Sequence, residues 1–315
     1  MKRLRIGTRG SKLALWQASW VARALASLPG GPGAEVVILR TAGDEATDRP
    51  VAAIGGTGVF VKEIEEALLR GEVDVAVHSL KDLETRGPDG LVLGATPARG
   101  AVEDCLVAAG PATVGTLPDG ALVATGSPRR RALLHELRPD LRFAPLRGNV
   151  PTRLDRIAAG AADATVLARA GLVRLERTDA IREVLDPAAF PPAPGQGALG
   201  IQCRADDLEA RDLLRILDDP PTRAAVTAER AFLREVGSGC HLAAGAFGRI
   251  EGGLLRIDGF VGSAERTELH RAASAGPPSD PERVGASLAR TLLDRASPAL
   301  VRELAAGNHA LEAAD

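Results

Sequence analysis

The stretch Gly71-Glu-Val-Asp-Val-Ala-Val-His-Ser-Leu-Lys-Asp82 decides how this chain folds. A glycine opens it, and the run from Asp74 to His78 predicts a buried β-strand. Three polar residues, Ser79, Lys81 and Asp82, follow that strand directly. Because open α/β sheets bind ligands beyond the carboxyl ends of their strands, we expect functional side chains at this point.

The same pattern occurs a second time. Gly160-Ala-Ala-Asp-Ala-Thr-Val166 parallels residues 71–77, and Leu172 falls at the same offset as Leu83. Ile6-Gly-Thr-Arg-Gly-Ser-Lys-Leu-Ala-Leu15 likewise parallels Val123-Ala-Thr-Gly-Ser-Pro-Arg-Arg-Arg-Ala-Leu133, since each reaches a threonine and then a Gly-Ser pair. Two matches in the same order predict two α/β lobes of similar plan with a cleft between them.

We therefore predict an α/β fold with two similar lobes and a small C-terminal α+β domain. The segment Gly195-Gln-Gly-Ala-Leu-Gly-Ile-Gln-Cys203 is interpreted as a strand that returns to the first lobe. The predicted domains are residues 1–97 with 198–217, residues 98–197, and residues 218–315. In the last domain we expect a helix with Thr222 as its N-cap that ends at Gly237, strands at 245–250 and 254–261, and helices at 281–295 and 298–306.

Composition excludes several classes of protein. The 315 residues are 45% hydrophobic and carry a net charge of only −2, so no overall positive field attracts nucleic acid. No apolar run approaches the ~18 residues of a membrane span. Cys105, Cys203 and Cys240 lie far apart without a CxxC pair, which argues against disulfides and zinc and favours a reducing, cytoplasmic location. The first 34 residues contain no acid, but the apolar face of a helix there indicates a folded domain and not a transit peptide.

Cationic side chains concentrate at the predicted strand ends and helix starts. Ser11 and Ser127 are suited to cap the two corresponding helices, and Pro128 suits the first helical position. A helix start offers free N–H groups to an anion. One arginine alone would most often be a solvated surface charge, whereas this set predicts the binding of carboxylates or phosphates: Arg9, Lys12, Lys81, Arg129, Arg130, Arg131, Arg147 and Arg153.

A thiol stands in the loop Val236-Gly-Ser-Gly-Cys-His241. The glycines permit positive φ and allow the loop to carry Cys240 away from its own domain. A free cysteine can equally be a small buried hydrophobe, so both readings stay open from the loop alone.

Several long motifs together resemble the porphobilinogen deaminase family, in order from about Arg5 to the end. They are Thr8-Arg-Gly-Ser11, Leu13-Ala-Leu-Trp-Gln-Ala18, Ala76-Val-His-Ser-Leu-Lys-Asp82, Leu146-Arg-Gly-Asn-Val150, Pro194-Gly-Gln-Gly-Ala198 and Gly239-Cys240. The resemblance implies lobes similar to type II solute-binding proteins. It also implies that four porphobilinogen molecules join head to tail, each losing ammonia, to give hydroxymethylbilane. A dipyrromethane cofactor would be anchored through a thioether to Cys240.

The resemblance also implies roles for individual residues. Asp82, Arg9 and Lys81 would be catalytic, with Asp82 stabilising a cationic pyrrole intermediate. The cofactor would contact Cys240, Lys81, Asp82, Thr125, Ser127, Arg129 and Arg130. The substrate and growing chain would contact Arg9, Ser11, Phe60, Ser79, Arg147, Arg153, Arg174 and Gln196. Thr57 stands where the family usually has a loop lysine, in Gly55-Gly-Thr-Gly58. We expect a monomer that binds no metal, nucleic acid or membrane.

Two other classes remain possible. A non-catalytic solute-binding module of the same lobe plan would bind small carboxylates, but it would not need a looped thiol or the Lys81–Asp82 pair. A cysteine-nucleophile hydrolase has less support, because His241 is adjacent to Cys240 in sequence and need not face its sulfur. Asp82 could also serve only as an ion-pair partner, and Gln196 only as hinge packing.

Overall fold

The computed structural model describes residues 3–40, 61–237, 242–263 and 267–312, with side chains as far as residue 305. In chain order the strands are β1 (Leu4–Thr8), β2 (Ala34–Ile38), β3 (Val75–Ser79), β4 (Leu91–Ala95), β5 (Asp104–Ala108), β6 (Leu122–Ala124), β7 (Arg142–Ala144), β8 (Ala164–Ala168), β9 (Ile181–Val184), β10 (Leu199–Arg204), β11 (Ala243–Glu251), β12 (Leu254–Gly262) and β13 (Leu269–Gly276). The helices are α1 (Lys12–Ala26), α2 (Lys62–Leu69), α3 (Pro128–Leu137), α4 (Val150–Ala158), α5 (Arg169–Arg174), α6 (Leu208–Arg215), α7 (Pro220–Val236), α8 (Pro281–Arg295) and α9 (Pro298–Glu312). By contacts the chain divides into two compact units, Met1–Gly100 with Ala198–Arg223, and Ala101–Gly197 with Ala224–Asp315.

The first unit contains a five-stranded sheet in the order β2-β1-β3-β10-β4. β1 runs parallel to β2 and β3, whereas β10 runs antiparallel to β3 and β4. Leu199 of β10 lies opposite Ser79 at the carboxyl end of β3. The predicted return of the chain to the first lobe is therefore confirmed.

Apolar side chains cover both faces of this sheet. Because successive strand residues point to opposite faces, Val75 and Val77 face one side and Ala76 the other. α1 packs against the first side through Ala18, Val21 and Leu25, and α2 packs against the second through Ile64, Ala67 and Leu68. The carboxyl end of β3 is thus held between two layers of core.

The second lobe repeats this plan strand by strand. Its sheet has the order β7-β6-β8-β5-β9, in which β6 runs parallel to β7 and β8, while β5 runs antiparallel to β8 and β9. Asp104 at the start of β5 lies opposite Ala168 at the end of β8, just as Leu199 lies opposite Ser79. The predicted pair of similar α/β lobes is confirmed.

The C-terminal domain is a three-stranded antiparallel sheet, β11-β12-β13, covered by helices. Its core joins side chains of α7, α8 and α9, including Phe232, Leu288 and Leu304. α7 and α8 approach so closely that a Cβ on Gly285 would lie 2.0 Å from the carbonyl oxygen of Ala228. Only glycine fits at this crossing.

One expectation for this domain was wrong, and one strand was not predicted. Thr222 is not the N-cap of α7: the helix begins at Pro220, and the carboxylate of Asp219 accepts the hydrogen bond from the Thr222 N–H, at 2.9 Å. Proline is tolerated in the first turn of a helix because the backbone N–H groups of that turn have no acceptor within the helix. The N–H that proline lacks therefore costs no hydrogen bond. Strand β13 was not predicted, because its alanine- and glycine-rich sequence has low β propensity; pairing with β12 forms it.

The other helix ends in this domain either agree with those predicted from the sequence or lie beyond them. α7 ends before Gly237, at φ +121°, as predicted, and α8 spans Pro281–Arg295 as predicted. The last helix continues to Glu312 instead of ending near residue 306. The exact domain limits proposed above stay predictions. Among the helices in the described ranges, none has the length and apolar character to cross a bilayer.

Candidate active site

A capped helix start follows β1 in the first lobe and the equivalent strand, β6, in the second. The Ser11 hydroxyl accepts a hydrogen bond from the Ala14 N–H at the start of α1, and the Ser127 hydroxyl accepts one from the Arg130 N–H at the start of α3. Pro128 occupies the first turn of α3. Neither helix has an acidic residue in its first turn, so both retain a positive end. Both predicted caps are confirmed.

In the first lobe a small cavity of about 70 Å³ lies beside the end of β3. Four residues singled out in the sequence line it together: Arg9, Ser11, Ser79 and Asp82. Arg9 and Ser11 come from the turn between β1 and α1, whereas Ser79 and Asp82 come from the end of β3 and the following 3-10 turn, Leu80–Asp82. A cation, a carboxylate and two hydroxyls therefore converge on a space suited to a polar group.

Gln17 supports this cavity from α1. Its side-chain amide donates to the Ser79 hydroxyl at 2.8 Å, and the residue is almost fully buried. This hydrogen bond fixes the orientation of the Ser79 side chain. Because the Ser79 oxygen is the acceptor, its hydroxyl proton can still be donated to another group. Lys81 is half-buried on the same turn as Asp82 but is not among the residues that line the cavity.

His78 forms a neutral part of the same wall. Burial lowers its pKa to about 4, with Arg9 acting in the same direction, while the adjacent Gln202 amide opposes the shift. Gln202 in turn donates to the Glu65 carboxylate at 2.8 Å. Burial is also the main cause that raises the pKa of Glu65. At neutral pH His78 is therefore uncharged.

The second lobe has a buried ionic cluster at the corresponding place. Asp104 is fully buried, and its two oxygens accept from Arg129 Nη2 at 2.6 Å and from Arg130 Nη2 at 2.7 Å. Burial alone would raise the pKa of Asp104, but the charges and hydrogen bonds of the two arginines outweigh it and hold the pKa well below its usual range. The carboxylate therefore stays ionised, and the cluster contains two positive charges against one negative.

The two arginines have different surroundings. Arg129 also donates to the Pro191 carbonyl at 2.8 Å, and its guanidinium lies over the Phe190 ring. Burial lowers the pKa of Arg129, although arginine keeps its charge at any ordinary pH. Arg130 is also buried, and its Nε has no hydrogen-bond partner among the described residues.

Most of the other predicted second-lobe residues lie near this cluster or are bonded to it. The Thr125 hydroxyl accepts from the Ser127 N–H at 3.2 Å. Gln196 donates to the Val102 carbonyl at 2.8 Å and to Asp104 Oδ1 at 3.2 Å. Arg174 donates to the Gly197 carbonyl at 2.7 Å, and burial lowers its pKa to about 10.

Arg147 and Arg153 flank the start of the next helix, α4. Asn149 caps that helix by accepting from the Thr152 N–H at 3.0 Å, and Arg153 Nε donates to the Gly148 carbonyl at 2.8 Å. Two predicted residues, Phe60 and the anchor Cys240, lie outside the described residues, as does Thr57.

The sequence analysis did not assign Gln17, His78 or Asp104 to the site. Gln17 and His78 lie inside two of the motifs that carry the family resemblance. In each motif, a polar residue among apolar neighbours is the signal that could have assigned it to the site. Asp104 begins an otherwise apolar strand, and no local pattern indicates that both arginines reach it. Within the described ranges, no group of three or more His, Cys, Asp or Glu side chains could hold a metal ion.

Comparison with known proteins shows the family of this chain. The family model for "Porphobilinogen deaminase, dipyromethane cofactor binding domain" matches residues 4–212, and the model for "Porphobilinogen deaminase, C-terminal domain" matches residues 223–294. The porphobilinogen deaminase of Syntrophobacter fumaroxidans is 44% identical over 96% of this chain and 97% of the relative. The Roseiflexus castenholzii enzyme is 46% identical over 95% of this chain and 98% of the relative.

A solved structure of the methionine-binding protein MetQ covers 67% of this chain and 88% of its own, at 15% identity and a TM-score of 0.44. The plan of the two lobes follows from the strand orders described above. The family models together span most of the chain, and relatives above 40% identity cover nearly all of it. The chain belongs to the porphobilinogen deaminase family.

Proposed function

We propose that this protein condenses four porphobilinogen molecules head to tail into hydroxymethylbilane, with loss of four ammonia molecules. The growing chain is built on a dipyrromethane primer that is linked through a thioether to Cys240. Membership of the family supports the reaction. The observation in the molecule that carries it is the buried cluster of Arg129, Arg130 and Asp104, which has one more positive than negative charge.

A dipyrromethane fits the groups around that cluster. Each pyrrole bears an acetate and a propionate, and a buried excess positive charge is costly until an anion compensates it. Arg130 has an unpartnered Nε in this cluster, and the capping hydroxyl of Ser127 stands at the start of the same helix. Lys81, Asp82, Thr125, Ser127, Arg129 and Arg130 make up the proposed cofactor site with Cys240. When bound, the cofactor supplies the pyrrole to which new units are joined.

The first-lobe cavity is proposed to receive the reacting substrate. Arg9 and the start of α1 at Ser11 bind a substrate carboxylate, since both are positive. Asp82, across the same cavity, accepts hydrogen bonds from pyrrole N–H groups and stabilises positive charge that develops when ammonia leaves. Ser79, held by Gln17, offers a further hydrogen bond.

The remaining predicted residues are proposed to hold the chain as it lengthens: Phe60, Arg147, Arg153, Arg174 and Gln196. The growing product accumulates carboxylates, and permanently charged arginines bind these in a bidentate manner. We further propose a cytoplasmic location, because the cysteines are spaced for neither a disulfide framework nor a metal site. We also propose that the protein is a monomer.

The intact mass of the denatured protein tests the function, together with a colour test for pyrroles in acid. We expect a mass excess of two linked pyrrole units, absent in Cys240→Ser because a hydroxyl lacks the nucleophilicity of a thiol. Cys203→Ser is the matched control, since Cys203 is buried in β10 and should not affect the adduct. An adduct that persists in Cys240→Ser would disprove the anchor.

An unmodified wild-type protein would be weighed again after incubation with porphobilinogen or hydroxymethylbilane. Uptake would identify an unassembled apoenzyme. Reversible binding of small carboxylates with no adduct and no pyrrole condensation would instead support a solute-binding module and overturn the proposed reaction.

A further inference from the structure

We propose that Gln202 is a positioning residue for the first-lobe cavity. Its side-chain amide sets the tautomer of His78 and separates the imidazole ring from the Glu65 carboxylate. The inference rests on the proposed function, because it assigns a role behind the wall of the cavity that is proposed to receive the reacting substrate.

Gln202 and His78 lie on the same face of the first-lobe sheet. Gln202 of β10 pairs with Ala76 of β3, and Gly200 pairs with His78. The two side chains are therefore diagonal neighbours, at a separation that long side chains span. Gln202 is 5% exposed and His78 is 6% exposed. Helix α2, which carries Glu65, covers this face of the sheet.

The Gln202 amide has a defined orientation. Its Nε2 donates to Glu65 Oε1 at 2.8 Å, and because a carboxylate only accepts, the nitrogen end of the amide faces Glu65. The oxygen end is left for the adjacent His78 ring. Gln202 Oε1 and His78 Nε2 are both buried, and neither has a hydrogen-bond partner among the described residues. Because the amide oxygen only accepts, His78 Nε2 carries the ring proton and Nδ1 carries none.

The amide also separates His78 from a carboxylate. The groups around the ring that can carry charge are Arg9 from the turn before α1, Asp82 from the turn after β3 and, beyond the amide, Glu65. Burial lowers the pKa of His78 to about 4, and Arg9 acts in the same direction. A carboxylate in place of the amide would favour the imidazolium form, because an opposite charge would then lie beside the ring.

An imidazolium at this position would interfere with the proposed reaction. His78 and Asp82 line the same cavity. A cation on His78 would compete for the carboxylate that is proposed to stabilise the positive charge developing on the substrate. Gln202 is not among the described residues that line the cavity, so it acts on the reaction through His78.

The first test follows His78 by NMR in full-length protein labelled with 15N-histidine. The chain has only five histidines, and His78→Phe assigns the signals of His78. In wild type we expect the proton on Nε2 at neutral pH and a titration midpoint of about 4. Gln202→Glu should raise that midpoint by roughly 1 to 3 pH units. Gln202→Met adds no charge, so it should keep the midpoint low but lose the single tautomer.

Initial rates of porphobilinogen consumption provide the second test. The ratio of kcat/KM in Gln202→Glu to that in wild type should lie within about threefold of one at pH 8.5. It should decrease towards low pH along the variant's own His78 titration curve, because only the uncharged fraction stays active. Taking the ratio removes any titration of the substrate itself. Arg142→Gln makes the same change in net charge at an exposed residue of β7 and should alter neither readout.

A wild-type ring without a proton on Nε2 would overturn the proposal, and this measurement holds even if Gln202→Glu does not fold. An unchanged midpoint in Gln202→Glu would also overturn it, as would a raised midpoint with a rate ratio that does not depend on pH. If wild-type protein consumes no porphobilinogen, the proposed function fails. The NMR titration still decides whether Gln202 controls His78.

Discussion

The two lobes have the same strand order and strand directions, but they differ in what occupies equivalent positions. In both, a serine caps the helix after the first parallel strand, Ser11 in one and Ser127 in the other. Beyond the caps, three equivalent positions are apolar in the first lobe and ionic in the second. The pairs are Leu13 and Arg129, Ala14 and Arg130, and Leu199 and Asp104.

This difference shows that sheet topology does not determine polarity. The first lobe places a basic and an acidic side chain, Arg9 and Asp82, on the wall of a small cavity. In the second lobe, two buried arginines form ion pairs with a buried carboxylate that has no equivalent in the first lobe. We infer that the first lobe is suited to the reaction, where groups must meet a changing substrate, and the second to holding a permanent anion.

The strongest test of this division is Asp82→Asn. Turnover should fall about 10³-fold, because the developing positive charge loses its carboxylate, while the covalent pyrrole adduct remains. Initial rates of porphobilinogen consumption and intact mass measure both effects. Asp89→Asn, at an exposed aspartate nearby, should leave the rate unchanged. Near-normal activity of Asp82→Asn would remove Asp82 from the mechanism.

The next largest effect is expected when the charged residues of the second lobe are replaced by the apolar residues found at the equivalent positions of the first lobe. Asp104→Leu alone should lower the free energy of unfolding by about 3 kcal/mol, because two buried guanidinium groups lose their carboxylate. The triple variant Asp104→Leu, Arg129→Leu, Arg130→Ala should recover most of that loss, since all the charges leave together. Urea unfolding of the apoproteins measures this. A triple variant less stable than the single one would mean that the lobes differ in packing and not only in charge.

His78 provides a pH-dependent comparison, because its equivalent in the second lobe is Leu167. His78 has a folded pKa of about 4, below its unfolded value of about 6.5. Its contribution to stability is therefore fully present above pH ~6.5 and is lost as pH falls towards 4. Between pH 7.5 and 5, wild type should lose about 2 kcal/mol more than His78→Leu. Parallel stability curves for the two proteins would show that His78 does not titrate in this way.

The smallest expected effects concern the features that the lobes share. Ser11→Ala and Ser127→Ala should each destabilise the apoprotein by about 1 kcal/mol, the usual contribution of an N-cap. Unfolding midpoints in urea would measure these losses. Ser127→Ala should in addition slow cofactor loading, whereas Ser11→Ala should not. Equal loading defects would argue against separate tasks for the two lobes.

Much of the fold was accessible from sequence because its signals are local. The repeated strand-and-polar pattern around Asp82 predicted the lobe plan, and serine followed by proline predicted the start of α3. Strand β13 was missed because its stability comes from its partner strand and not from its own residues. Thr222 was taken for the cap of α7 because proline in a first turn hides the true start of a helix.

The sequence by itself determined the two-lobe plan, the serine caps of α1 and α3, and the family, since these depend on the spacing of residue types along the chain. Only the tertiary structure decided that Arg129 and Arg130, adjacent in sequence, have different surroundings. It also brought Gln17 to Ser79 and buried His78 in the cavity wall. Burial and partners more than 20 residues away control the charge and hydrogen bonding of these groups, and no local pattern encodes either.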